Sequence, residues 1–285
     1  MSQSSNPAPN SAQIEYWNAA AGLTWAQLHE QLDRQIECLG LEGIRVLAPR
    51  AGEQLLDIGC GCGQTSAELA VRVGPSGKVV GVDISHPMLD VARRRLGPDT
   101  RRQLDFRQLD AQSGELGRGI FDAAFSRFGV MFFSDPIAAF TNIRAALKPG
   151  GRMSFVCWRP FQENLWMRVP MEAALPHLPP MPPADPLAPG PFAFADPNRV
   201  HSILRDAGFG SVTITPFDLS IGGSDIEQTL QLTLKVGPLG AALRENPGLA
   251  DAAVAAVRDA ISAYATPKGV LMPAAVWIVR AQNDR

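Results

Sequence analysis

The sequence predicts an α/β fold, a mostly parallel sheet with helices on both faces, and three observations predict it. Between Gln54 and Trp158, short β-branched or apolar runs alternate with helix-periodic ones, a pattern that demands crossover connections and hence parallel strands. The first of those strands runs into a turn with glycine at every second position, Gly59, Gly61 and Gly63, and a helix follows. The chain of 285 residues is 46% hydrophobic and 19% charged, ample material for a buried core.

Residues 1–10 are rich in Ser, Pro and Asn and read as a disordered tail. From Ile14 to about Ala48 the pattern is helical, with Ile36, Leu39 and Val46 at helix-like spacing and Pro49 as the stop. Residues 11–50 therefore form a helical cap. Strands are expected at Gln54–Ile58, Lys78–Ile84, Leu104–Leu109, Phe121–Phe128 and Arg152–Trp158, with helices near Gln64–Val73, Pro87–Leu96 and Pro136–Leu147. Lys148–Gly151 closes the last of these. Eleven of the 24 prolines lie between Pro160 and Pro197, which forbids long regular elements there and marks a functional loop or lid. A helix from Pro197 to Ala207, a strand from Val212 to Leu219, helices over Asp225–Lys235 and Leu249–Tyr264 and a strand over Ala275–Ala281 complete the chain.

Composition excludes several classes of function. The net charge is −2, so no basic excess points to nucleic acid or an anionic membrane. Four cysteines are too few for a disulfide scaffold. The polar N-terminus and the lack of any 18-residue apolar run argue against a signal peptide or a membrane span, and a cytoplasmic protein is expected. The four histidines lack metal-ligand spacing, and Cys60 and Cys62 sit inside the glycine turn, where they read as small fillers. No metal is expected.

The turn carries the chemistry. Glycine lets backbone approach a ligand closely, and the helix start behind it offers unpaired N–H groups. A dinucleotide site wants G-x-G-x-x-G, but the position that must be small is Gln64 here. Asp57 precedes the first glycine, and a strand-end carboxylate needs a donor or cation, which an amine-bearing ligand supplies. Asp83 stands at the tip of the next strand, and a carboxylate at such a tip can accept both hydroxyl protons of a ribose.

The segments Asp57–Gly63, Val79–Ile84, Leu109–Ala111, Phe121–Ser126 and Leu147–Arg152 stand in the order and pitch of the class I S-adenosylmethionine-dependent methyltransferases, which this chain resembles over roughly Leu55 to Cys157. The likeness is nearest to the ubiquinone/menaquinone-biosynthesis C-methyltransferase branch. It implies a Rossmann-like seven-stranded sheet whose last strand runs antiparallel between the fifth and sixth. It implies one catalytic domain over residues 51–285, with lid insertions at about 160–197 and 222–268. S-adenosyl-L-methionine is the implied cofactor and S-adenosyl-L-homocysteine the product. Asp57, Gly59, Cys60, Gly61, Gly63, Gln64 and Thr65 would surround its methionine part, and Asp83 its ribose. Ile84 and Met88 would lie against the adenine, whose amino group Asp110 accepts beside Ala111, with Ser126 ending the fourth strand nearby. Tyr16, Trp17 and Trp25 would close over the cofactor, aromatic faces being attractive to a cationic sulfur.

The acceptor should sit at the mouth after the fourth strand. Phe128, Met131 and Phe132 are the expected apolar pocket, joined by Trp158, Asn164 and Trp166 from the fifth strand and the lid. Arg127 would hold an anionic acceptor or orient the cofactor. His177 and Glu163 are the candidate general bases, and the arginines at 93–95 read as a solvated helix face. The expected reaction is methyl transfer to a carbon or oxygen of a small apolar or aromatic metabolite. A homodimer is left open, and two alternatives stay beside it, a nicotinamide-dependent oxidoreductase and a non-catalytic S-adenosylmethionine-binding protein.

Overall fold

The computed structural model describes residues 10–97, 102–180, 185–246, 248 and 250–284. The expected tail over residues 1–9 lies outside them, but its last residue, Asn10, is buried and donates from Nδ2 to Asp110 Oδ1 at 3.2 Å. The single helical run expected next is three helices, α1 (Ser11–Asn18), α2 (Ala20–Gln27) and α3 (His29–Leu47). The chain folds tightly between the first two because Gly22 lets them close: a Cβ there would lie 1.9 Å from the Trp17 carbonyl oxygen.

The core follows the expected alternation of β1 (Gln54–Ile58), α4 (Gln64–Val73), β2 (Lys78–Asp83), α5 (His86–Arg94), β3 (Leu104–Gln108), β4 (Phe121–Arg127), α6 (Pro136–Ala146) and β5 (Leu147–Trp158). Its strands read as nearly continuous apolar runs because helices cover both faces; Leu55, Leu56, Val79, Ala123, Ala124, Phe125 and Phe155 are completely buried. Strand β5 starts earlier than Arg152, because Leu147 already pairs with Phe121 before the register shifts around the Lys148–Gly151 turn.

Beyond β5 the Pro-rich span holds a regular element that its composition argued against, α7 (Leu165–Ala174), with Pro170 inside it. Burial of Met167, Pro170, Met171 and Ala174 along one face holds that helix despite the missing N–H. Then come α8 (Pro197–Asp206), β6 (Gly210–Gly222), α9 (Ile226–Thr233), α10 (Gly237–Glu245), α11 (Ala250–Ser262), β7 (Ala265–Thr266) and β8 (Gly269–Gln282). Helix α10 had no sequence signal, since Gly237 and Pro238 open it.

The sheet order is β3-β2-β1-β4-β5-β8-β6, and β8 runs antiparallel to both of its neighbours. The two-residue β7 hairpins onto β8 and makes an eighth strand where seven were expected. Above the sheet, α7, α9, α10 and α11 share a second apolar core of their own, built on Met171, Leu230, Leu239, Leu243, Val257 and Ile261. Leu232 and Val236 reach from this layer to Leu32 of α3, with Trp25 and Leu28 packed alongside. The N-terminal and C-terminal covers thus meet over the carboxyl ends of the strands, where ligands of open α/β sheets bind.

Candidate functional site

Under that roof lies a cleft with about 1070 Å³ of empty space, its open mouth included. One half is built on the strand ends. Gly59 has φ +63, and a Cβ on it would sit 2.8 Å from Gly129 Cα, so only glycine allows the turns after β1 and β4 to touch. Asp83 ends β2 and is fixed at both oxygens: Gly61 N–H donates to Oδ2 at 2.8 Å and Ser85 N–H to Oδ1 at 2.8 Å. A carboxylate oxygen has two acceptor sites, so lone pairs remain on the cleft side. Burial raises its pKa above the ordinary carboxylate value, opposed by those backbone donors. Ile84, Met88, Asp110 and Ala111 also line this half. Asp110 accepts from Gln112 N–H at 2.9 Å, as well as from Asn10.

Asp57 does not line the cleft. It is fully buried behind the loop, where its Oδ2 accepts from Thr65 Oγ1 at 2.7 Å and from Ser66 Oγ at 2.6 Å. Two hydroxyls of α4 thus satisfy Oδ2 and tie the carboxylate to the helix start, while the buried Oδ1 has no partner among the described residues. Burial raises it to about 6. Ser126 is likewise interior, its Oγ accepting from Gly129 N–H at 3.2 Å. Cys60, Cys62 and Thr65 border a hollow beside the main cleft, with Gly59 and Gly61. Burial pushes the Cys60 thiol up and the Cys62 thiol up to about 12, so both remain neutral. Gly63 turns away from the hollow, with Phe106 and Ala92 behind it.

Arg127 borders both spaces and is tied down on both sides. It donates to Gln64 Oε1 and to Asp33 Oδ1, the latter at 3.2 Å. Gln64 in turn donates to Glu37 Oε1 at 2.9 Å, and Arg95 pairs with Asp33 Oδ2 at 2.8 Å while donating to the Cys62 carbonyl at 3.0 Å. Asp33, Glu37 and Arg95 had not been singled out as site residues. Arg95 belongs to the run read as a solvated face, and the signal for Asp33 was a charge on the otherwise apolar face of α3.

The other half of the cleft is aromatic and aliphatic. Phe128 stacks on Trp158 with ring centroids 4.0 Å apart and planes 7° from parallel, and Trp158 meets Trp166 at 5.1 Å. Met131, Met167, Pro191 and Val236 complete it. Trp17 stands edge-on to both Trp25 and Phe132, at 6.0 and 5.0 Å, and all three line the cleft. Their helices are pinned to the turn after Asp83: Asn18 donates to the Ile84 carbonyl at 2.9 Å and accepts from His86 N–H at 2.9 Å, while Ser85 Oγ donates to the Trp17 carbonyl at 2.7 Å. Tyr16 stays outside on the surface, its hydroxyl accepting from Arg244 at 3.3 Å.

Of the residues expected to act in catalysis or to hold the acceptor, three are not at the cleft. His177 is exposed in the turn after α7. Glu163 points to the surface and pairs with Arg159. Asn164 is buried as a staple: its Nδ2 donates to the carbonyls of Arg159, Pro160 and Ala275, and its Oδ1 accepts from Ala275 N–H at 3.0 Å. It ties the start of α7 to β8. Among the described residues no cluster of His, Cys, Asp or Glu is arranged to hold a metal.

The sequence model of the methyltransferase-domain family matches residues 55–151. Relatives include a demethylmenaquinone methyltransferase of Lactococcus lactis subsp. lactis, 35% identical over 102 residues, covering 36% of this chain and 40% of that protein. An O-methyltransferase of Pyrenophora dematioidea is 30% identical over 142 residues, covering 50% of this chain and 51% of that one. An aklanonic acid methyltransferase of a Streptomyces species is 31% identical over 117 residues, covering 41% and 53%. The chain thus spans about half the length of the curated relatives it matches. Solved structures with the same fold include the YcgJ protein of Bacillus subtilis, at TM-score 0.57 and 17% identity over 87% of this chain and 99% of that one. Phosphoethanolamine N-methyltransferase 2 of Haemonchus contortus, with S-adenosyl-L-methionine, gives 0.55 and 18% over 87% and 53%. The [4+2]-cyclase SpnF gives 0.51 and 22% over 85% and 80%. The matched residues 55–151 carry the glycine loop, Asp83 and Asp110, and over them the chain is similar to methyltransferase domains, those of demethylmenaquinone methyltransferases among them.

Proposed function

We propose that the protein transfers the methyl group of S-adenosylmethionine to a carbon or oxygen of a small apolar or aromatic metabolite and releases S-adenosylhomocysteine. One observation carries the reading: the braced carboxylate of Asp83 stands at the rim of a cleft whose far half is aromatic. The cofactor suits the residues present. Asp83 has free lone pairs for ribose hydroxyls, Gly59 and Gly61 leave room for backbone-close contact, Ile84 and Met88 offer apolar walls for a purine, and Asp110 an acceptor at its edge. When bound, it supplies an electrophilic methyl group on a positively charged sulfur. Arg127, fixed by Asp33 and Gln64, presents a positive group between the loop-side hollow and the main cleft. Phe128, Met131, Trp158 and Trp166 exclude water and hold a flat acceptor in line with the methyl group, which is where the rate enhancement would come from.

The activities named for the relatives, on demethylmenaquinone and aklanonic acid, support a small-molecule acceptor. The near-neutral charge supports a reading without nucleic acid, in the cytoplasm. Among the described residues no helix is long and apolar enough to cross a membrane. A second reading, a protein that binds S-adenosylmethionine without transferring its methyl group, is favoured by the position of His177 and Glu163 away from the cleft. The SpnF likeness also shows that this fold is not confined to proteins named methyltransferases. Titration calorimetry with S-adenosylmethionine, S-adenosylhomocysteine and reduced nicotinamide dinucleotide tests the site; binding of the nicotinamide alone would overturn it. Acceptor-dependent release of S-adenosylhomocysteine, assayed with quinols and polyketide phenols, separates transfer from binding alone.

A further inference from the structure

We propose that Phe128 is a specificity-determining residue, held in a strained backbone so that its ring distinguishes the cationic sulfur of the donor from the neutral sulfur of the product; this rests on reading the cleft as an S-adenosylmethionine site. Phe128 has φ 62, a left-handed conformation that is unfavourable for a bulky side chain and persists only where the surroundings enforce it. They do so here. Phe128 N–H donates to the Val156 carbonyl at 3.0 Å, the next N–H, of Gly129, donates to Ser126 Oγ at 3.2 Å, and Gly129 itself is pressed against Gly59. A glycine is available one position along and is not the residue used for the left-handed turn.

The strain places an aromatic ring at one particular spot. Phe128 and Trp25 are the phenyl or indole rings that border both the loop-side hollow, with Gly59, Cys60 and Gly61, and the main cleft. Trp158 covers one face of the Phe128 ring, which fixes its tilt. The ring therefore stands between the half suited to the donor and the half suited to the acceptor, where the sulfur must lie for in-line transfer. Aromatic faces attract a sulfonium more strongly than a thioether, whose contact with a ring is the weaker one, so the ring favours the donor over the product.

The test needs no acceptor. Calorimetric Kd values for S-adenosylmethionine and S-adenosylhomocysteine are compared in the wild type, Phe128→Leu and Phe128→Tyr. Phe128→Leu should weaken the sulfonium ligand about three- to tenfold and the thioether less than twofold, while Phe128→Tyr keeps the wild-type ratio. Equal weakening of both ligands, or none, overturns the proposal. Should Phe128→Leu not fold, a ring-fluorinated phenylalanine at position 128 keeps the shape while depleting the charge of the face, and the same ratio decides. The strain has its own readout: Phe128→Gly should melt above Phe128→Ala, and the reverse order would remove it. A wild type that binds neither ligand overturns the cofactor reading itself, whereas binding with an unchanged ratio overturns only the role of the ring.

Discussion

The two halves of the cleft are made of different material. The half proposed for the donor consists of backbone and carboxylates at the ends of adjacent parallel strands: Gly59, Asp83 and Asp110 come from three consecutive strand–turn units. The half proposed for the acceptor is lined by large side chains that arrive from α1, α2, α3, the turn after β4, the end of β5, α7, Pro191 and Val236 just before α10. A site made of backbone turns is held by hydrogen bonds that any stable sheet supplies. A site made of large side chains depends on how separate covers pack, so its shape can vary while the first stays fixed.

The largest expected effect is at Asp83. Removing the carboxylate proposed to accept two ribose hydroxyls should cost about 3 kcal/mol, on the order of a hundredfold in Kd for S-adenosylhomocysteine. Because the carboxylate also receives Gly61 and Ser85 N–H, Asp83→Ala loses stability as well, and Asp83→Asn, which keeps an acceptor, should lose affinity with a smaller change in Tm. A Kd within threefold of wild type in both would show that the donor half does not depend on this group.

Asn164→Ala should do the converse. Leaving the Ala275 N–H and its partner carbonyls unsatisfied costs about 2 kcal/mol in denaturant unfolding, while cofactor affinity stays within twofold, because the staple roots only the acceptor-side roof. Loss of affinity in step with stability would join the two halves into one unit.

Asp57 titrates under the donor half. Its folded pKa of about 6 lies above the ordinary value of 3.8, so the folded chain retains a proton that the unfolded chain has released. The stability this contributes is complete below about pH 4 and is lost as pH rises through about 6. Between pH 5 and pH 7.5 the wild type should lose about 1.4 kcal/mol that Asp57→Asn does not lose, as read from urea midpoints; parallel pH profiles would contradict it. The smallest effect is expected at His177, where replacement by Ala should leave turnover within twofold. A tenfold fall would place a base in the acceptor half after all.

Legibility follows the same division. Strand–helix alternation, the glycine turn and the strand-end acids were readable because each is a local rule: a period, a turn that needs φ > 0, a carboxylate at a strand tip. Arg127 was found at the right mouth, but its partners Asp33, Glu37 and Arg95 were not, because their meeting depends on how α3 crosses the ends of α4 and α5. Asp57 was singled out but its bonds to Thr65 and Ser66 were not, since those hydroxyls turn back on it only once α4 is seated. His177, Glu163 and Asn164 were misplaced for one reason. Proline content described the span from Pro160 to Pro197 as irregular, whereas α7 forms there, carries Trp166 and Met167 inward and leaves His177 in the exposed turn that follows it.

By itself the sequence determined the parallel sheet, the turn at Gly59–Gly63 and the acids that follow it, because these obey backbone sterics and hydrophobic periodicity over a few residues. Only the tertiary structure decided the shape of the acceptor half, the pairing of Asp33 with two arginines and the meeting of Leu232 and Val236 with Leu32. Those contacts join residues far apart in the chain, and burial of apolar surface, which draws them together, has no direction that a local pattern records.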